Sequence, residues 1–312
     1  MPKRIAVGIT SLLSLLLLSQ NAFAHGIIGA RFFPATLTID DPFVADEMSL
    51  PTISTLRSSD DPSVRETDTS VDISKRLSRN LGIGAGATYK YLKSDDGSTI
   101  QGLDNFASNV QYVFFNNPDH EALSSLKLNW DMGGTGNVAV GDKFSRFTPS
   151  VLFGKGLSDL PDSLRYLKPL AFTGTFGSAF PTRRTDEDTG KPIAQVAQWG
   201  FTVQYSLQYL QANVKDIGLV QPLNRMIPLV EIPLQTPWDG DQKGKTTGTV
   251  NPGFIWFGRT IQLSLEAQVP INQASGKGVG AIGQIHFYLD DIAPTIFTWT
   301  PFSGVLGPTQ SK

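Results

Sequence analysis

Residues 260–270 read Thr-Ile-Gln-Leu-Ser-Leu-Glu-Ala-Gln-Val-Pro, and their alternation decides the fold class. Ile261, Leu263, Leu265, Ala267 and Val269 are apolar, whereas Gln262, Ser264, Glu266 and Gln268 between them are polar. Successive side chains of a strand point to opposite faces, so the segment predicts a strand with one apolar and one wet side, about long enough to cross a bilayer at a tilt. The apolar side must meet lipid or a second layer of protein.

The same device recurs along the chain. In 81–92, Leu81, Ile83, Ala85, Ala87, Tyr89 and Tyr91 share a face opposite Gly82, Gly84, Gly86, Thr88 and Lys90. In 199–209, Trp199, Phe201, Val203, Tyr205, Leu207 and Tyr209 oppose Gly200, Thr202, Gln204, Ser206 and Gln208. In 279–289, Val279, Ala281, Gly283, Ile285, Phe287 and Leu289 oppose Gln284, His286 and Tyr288. Weaker segments at 48–57, 70–77, 101–115, 126–132, 144–154, 164–180, 226–234 and 250–256 bring the total to about twelve strands. Tight turn chemistry at 78–80, 94–97 and 116–119 contrasts with polar loops at 58–67, 181–192 and 239–247.

The ends of the chain read differently. Residues 1–24 form a signal peptide: Lys3 and Arg4 precede a short apolar run, and Ala22-Phe23-Ala24 has the small-x-small cleavage pattern. Cleavage would take the formal charge of −2 to −4, a mild acidity that argues against a nucleic-acid partner. With no cysteine in the chain, disulfides and thiolate metal sites are excluded. Residues 25–47, with Pro34, Pro42 and acidic pairs, predict a periplasmic tail or a partial plug without regular strands. The barrel itself is expected over 48–290, and 291–312 as a C-terminal tail.

A soluble sandwich would share this pattern, but three features favour an all-β, antiparallel transmembrane β-barrel of about 12 strands. The strands exceed the usual globular length, short and long connections alternate, and Tyr89, Tyr91, Trp199, Phe254 and Trp256 lie towards strand ends on the apolar phase. Bacterial single-chain barrels use even strand numbers, so segment 48–57 is needed to complete twelve. In lipid, only a closed sheet satisfies every backbone group without helices.

The ending Gln284-Ile285-His286-Phe287-Tyr288-Leu289-Asp290-Asp291-Ile292-Ala293-Pro294 resembles uncharacterised exported barrels of Gram-negative bacteria, among them the outer-membrane family of the phenol-degradation meta pathway. Arg31-Phe32-Phe33-Pro34-Ala35-Thr36 and Asp40-Asp41-Pro42-Phe43 carry the same resemblance. It implies an outer-membrane location and uptake of small, partly hydrophobic compounds. Outer-membrane barrels usually end on a strand with a terminal aromatic residue, whereas here a tail follows Leu289, with Phe287 as an internal substitute.

With the apolar phase in lipid, the wet phase lines the lumen: Lys90, Lys127, Asp131, Gln204, Gln208, Glu266, Gln268, Gln284 and His286. Such a mix suits a channel, and it equally suits a filled barrel whose polar groups pair with one another. No catalytic residue, metal site or cofactor is expected. Ser264, Glu266 and His286 share a side but match no motif. His25, which cleavage would leave at the N-terminus, offers an amine and an imidazole together for copper, with only His120 and His286 as further imidazoles. The expected partners are outer-membrane lipid and a small-molecule permeant. Alternatives are a barrel with a structural or surface-binding role and a soluble periplasmic β protein.

Overall fold

A computed structural model describes residues 26–59, 61–186 and 190–303. The signal-peptide assignment for 1–24 and the copper idea at His25 lie outside the described residues. The first described elements are a two-residue hairpin, β1 (Ile27–Ile28) and β2 (Arg31–Phe32). Then come β3 (Glu47–Arg57), β4 (Val64–Arg76), β5 (Leu81–Ser94), β6 (Thr99–Leu103), β7 (Ala107–Asn117) and β8 (Ala122–Asp131). The series continues with β9 (Arg146–Gly156), β10 (Leu170–Pro181), β11 (Val196–Tyr205) and β12 (Met226–Pro237). It ends with β13 (Thr247–Phe257), β14 (Ile261–Pro270) and β15 (Gly280–Tyr288).

Strands β3 to β15 form one antiparallel sheet in which each strand pairs with its neighbour, and β15 returns to pair with β3. Strand β6 is a spur that pairs only with the upper part of β5, so twelve strands close the barrel. The tail after Leu289 does not prevent closure. Its described part makes two helical turns, Leu289–Ile292 and Pro294–Phe297, and folds back so that Phe302 N donates to Leu77 O at 2.8 Å. Among the described residues no helix is long and apolar enough to cross a membrane, which says nothing against crossing by strands.

Side-chain burial shows which face is which. On β14, Leu263 and Leu265 are 43% and 50% exposed, whereas Gln262 and Glu266 are 0% and 1% exposed. The apolar phase therefore points outward and the polar phase inward. The same holds around the wall, where Leu126, Leu128, Trp130, Val151, Phe153, Phe176, Phe201 and Phe254 are all exposed.

The segment 25–47, expected without regular strands, holds the β1–β2 hairpin, and four wall segments also depart from the pattern read in the sequence. Residues 64–67, expected in a charged loop, belong to β4, because Glu66 and Asp68 occupy its inward phase opposite Leu92 and Lys90 of β5. The segment 101–115 is broken at 104–106, where Asp104 receives Lys90 at 2.9 Å. The segment 164–180 begins as a 3-10 helix, Asp162–Leu167, and its strand starts only at Leu170. The segment 199–209 stops at Tyr205, because the Ser206 side chain caps a helical turn by accepting from Tyr209 N. Both ends of the described chain, the tight turns 77–80, 118–121 and 258–260, and the longer connections 157–169 and 206–225 lie at one end of the barrel, here called the terminal end. The long connections 132–145 and 182–195 lie at the opposite, open end.

Candidate functional site: a loop inside the barrel and the space beside it

Residues 26–46 enter the barrel from the terminal end, turn at mid-height and return to start β3. The hairpin comes first. Gly29 takes φ +60 at its tip, and a Cβ there would stand 2.4 Å from Pro118 O, so only glycine fits. Arg31, 1% exposed, donates through Nε to Glu121 Oε2 at 2.8 Å and through Nη1 to Pro169 O at 2.9 Å. Its guanidinium also lies 4.1 Å from the centroid of Tyr209 and donates to Lys168 O. Glu121 has a left-handed backbone, φ 46, a cost that its partnership with Arg31 helps to offset. Gly156 leaves the space they occupy, since a Cβ would meet Glu121 Oε2 at 2.0 Å.

Apolar packing seals this end on one side. Ile28, Phe33, Leu123 and Ala171 form one buried cluster with Phe43 against it. Ile227, Leu229, Ile255 and Phe257 form another with Phe32 and Leu37. Inward apolar residues are thus used where the loop covers them, and polar ones above.

The loop's turn is held by its backbone. Glu231, fully buried, accepts from Leu37 N at 3.1 Å, Thr38 N at 2.6 Å and Ile39 N at 3.2 Å, and from the Thr38 hydroxyl. Gln262 Nε2 donates to Ala35 O at 2.6 Å, and Gln111 Nε2 donates to Phe43 O at 2.7 Å. Ser125 donates to Pro42 O, and Lys127 pairs with Asp40 at 2.8 Å. Each wall residue named lies on an inward phase, which places the loop within the bore. On the way out, Ser74 Oγ donates to Ala45 O, and Asp46 pairs with Lys75 and Arg76.

The loop leaves space on its other flank. A cavity of about 370 Å³ runs between residues 35–47 and the wall made by β3, β4, β5, β7, β8 and β15. Its lining carries five carboxylates, Asp40, Asp41, Glu47, Asp68 and Asp72, against one lysine, Lys127. From Asp68 to Ser74 it follows β4 for about 20 Å, at roughly 3.3 Å per residue. At its upper end it shares Ser54 and Asp68 with a cavity at the open mouth, and at its lower end Phe43 and Val44 with one at the terminal end. A fourth cavity of about 360 Å³ lies above the loop's turn, against Trp199, Gln198 and Gln235.

The residues expected to line the lumen fall as follows. Gln204, Glu266, Gln268, Gln284 and His286 are buried on inward phases, and Lys90, Lys127 and Asp131 are half-buried there. Lys90 is held by Asp104 and, at 3.7 Å, by Glu66, while Asp131 stands opposite Arg146 in the ladder. Gln268 accepts from Ser54 Oγ at 3.0 Å. Gln208 is a correction: it is exposed and sits in the helical turn Leu207–Tyr209, off the strand, because Ser206 ends the alternation. The expected outward positions Tyr209 and Leu289 are likewise buried, one on Arg31 and one in the turn after β15.

Ser264, Glu266 and His286 do not form a catalytic group. His286 lies between Ser49 Oγ at 3.0 Å and Glu47 Oε2 at 3.2 Å, whereas Ser264 accepts from Gln262. Among the described residues no three His, Asp or Glu converge to hold a metal ion. Sequence reading missed Asp68, Asp72 and Glu231. The first two were legible, since Asp68, Ser70, Asp72 and Ser74 alternate with Thr69, Val71 and Ile73. Glu231 was not, because Ile227 and Leu229 put apolar residues on its own phase.

No protein-family model and no curated protein matches the sequence. Among solved structures, an outer membrane channel from Pseudomonas putida F1 is similar over 82% of this chain and 99% of its own, with a TM-score of 0.51 at 10% identity. The NanC porin is similar over 76% of this chain and 98% of its own, with a TM-score of 0.46 at 12% identity. The KdgM porin gives 77%, 98%, 0.45 and 8% for the same quantities. The likeness is one of architecture: this chain has the fold of the outer-membrane β-barrels.

Proposed function

We propose that the protein is an outer-membrane channel for small polar solutes, exported by residues 1–24, whose bore is narrowed by the loop 26–46. The exposed apolar belt supports lipid as its surroundings, because soluble proteins rarely expose contiguous apolar patches of this extent. The terminal end would face the periplasm, since three of its five connections are turns of three or four residues and outer-membrane barrels carry their short turns there. The observation that carries the channel reading is the run of cavities that share lining residues from the open mouth, past the loop, to the terminal end. Their carboxylates, hydroxyls and amides favour polar over hydrophobic passengers.

A kinship with the phenol-degradation meta-pathway family belongs to this proposal. The segments that resemble that family supply Arg31 and Asp40–Phe43 of the loop and Gln284 and His286 of the wall facing it. The apolar seal at one side of the terminal end supports a second reading, a plugged barrel without throughput. Purified protein in planar bilayers separates the two. Discrete conductance steps support the channel, and a silent bilayer with correctly folded, heat-modifiable protein favours the plugged barrel.

A further inference from the structure

We propose that Ser49, His286 and Glu47 form a nucleophilic triad in the wall of the cavity beside the loop, and that it hydrolyses small, uncharged or cationic carboxylic esters. This activity goes beyond the channel reading and does not require conduction. The three side chains stand in line: Ser49 Oγ is 3.0 Å from His286 Nδ1, and His286 Nε2 is 3.2 Å from Glu47 Oε2. A nucleophile within hydrogen-bond reach of a base, with the base oriented by a third group, is the arrangement that activates a serine. With its proton on Nε2, the imidazole donates to Glu47 and leaves the Nδ1 lone pair to accept from the Ser49 hydroxyl.

The fold holds this line from several sides. Glu47 and Ser49 share the inward phase of β3, and His286 of β15 is the ladder partner of Ser49. The Tyr288 ring meets the imidazole edge to face, with centroids 5.2 Å apart, and restricts its plane. Both ladders of β3 skip Leu50 and Pro51, so the strand bulges immediately after Ser49. Such bulges re-aim side chains and recur next to active sites.

All three residues line the cavity of about 370 Å³, a volume within the range of small-molecule sites. Its five carboxylates, with Asp72 across the other ladder from Ser49, disfavour anionic esters. In the reaction, Ser49 Oγ attacks the ester carbonyl carbon as its proton passes to His286 Nδ1. The bond to the leaving alcohol breaks, and His286 returns the proton to that alcohol. Water then attacks the acyl-serine by the same route, releasing the carboxylic acid and restoring the Ser49 hydroxyl. Glu47 is a positioning residue: it takes no proton, but directs Nε2–H and stabilises the imidazolium.

The test treats the folded full-length protein in detergent with a small alkyl fluorophosphonate and locates the adduct by mass spectrometry. Hydrolysis of p-nitrophenyl acetate is followed in the same preparation. Phosphonylation of Ser49 with loss of fluoride is expected, and Ser49→Ala should abolish both labelling and hydrolysis. His286→Gln should slow both by about a hundredfold or more. Glu47→Gln should lower kcat by about tenfold or more while KM stays within about twofold. No adduct on Ser49 in heat-modifiable wild-type protein, labelling untouched by His286→Gln, or a Glu47→Gln effect confined to KM overturns the proposal. Since both readouts are taken without a bilayer, a silent planar bilayer refutes the channel reading and leaves the result for the triad standing.

Discussion

Glu231→Gln isolates what holds the loop inside the barrel. The Glu231 carboxylate takes three backbone N–H groups and a hydroxyl from residues 37–39. Hydrogen bonds to a charged group contribute about 1.5–3 kcal/mol each. One oxygen takes Thr38 N, the Thr38 hydroxyl and Ile39 N and the other takes Leu37 N, so glutamine loses at least the bond from Leu37 N and leaves the other three without charge assistance. One lost bond and three weakened ones should cost the docked turn at least about 3 kcal/mol by the same reckoning. At 1.4 kcal/mol per factor of ten, local opening becomes about a hundredfold more frequent or greater. Amide hydrogen exchange in detergent reads this directly: Leu37, Thr38 and Ile39 should exchange at least a hundredfold faster, while the amides of β10 and β14 keep their protection. Unchanged exchange at 37–39 in a folded variant would refute the assignment of Glu231 as the anchor.

Two further substitutions test other parts of the account. Arg31→Ala leaves Glu121 buried without its cation and should cost about 3–5 kcal/mol, seen as a lower melting temperature, whereas Arg31→Met/Glu121→Met should cost less than Arg31→Ala alone. Leu265→Arg, on the outward phase of β14, should cost about 2–4 kcal/mol when folding into lipid vesicles is titrated with urea. The same exposed position in a water-soluble protein would tolerate arginine within about 0.5 kcal/mol, so a neutral result contradicts lipid contact.

How much was legible in the sequence depended on whether one phase of a strand stayed uniformly apolar. Where it did, as in 260–270 and 81–92, the strand, its faces and its approximate ends follow from alternation alone. Where a charged stretch entered a strand, as at Arg65 and Glu66, charge read as loop although the ladder continues through it. Strand ends decided by a single side chain were the hardest. Ser206 turns β11 into a helical turn by accepting one hydrogen bond from Tyr209 N, and nothing in the alternation of 199–209 announces that.

The interior was legible only in part, for a related reason. Gln262, Glu266, Gln284 and His286 stand out because their strands are apolar on the other side. Glu231 does not, because its strand is also apolar inside where the hairpin packs on Ile227 and Leu229. Long-range partners were not legible at all: Arg31 and Glu121 lie ninety positions apart, and neither has a local pattern that names the other. The glycines of β5 held a clue. Gly82, Gly84 and Gly86 make room for Val44 of the loop, for Asn109 and for Asp72.

Single-channel conductance before and after deletion of residues 33–44 tests the central claim most directly. With the loop filling part of the bore, the deleted form should conduct several-fold more per step while keeping its heat-modifiable barrel. Equal conductance in the two forms would mean that solutes do not pass beside this loop.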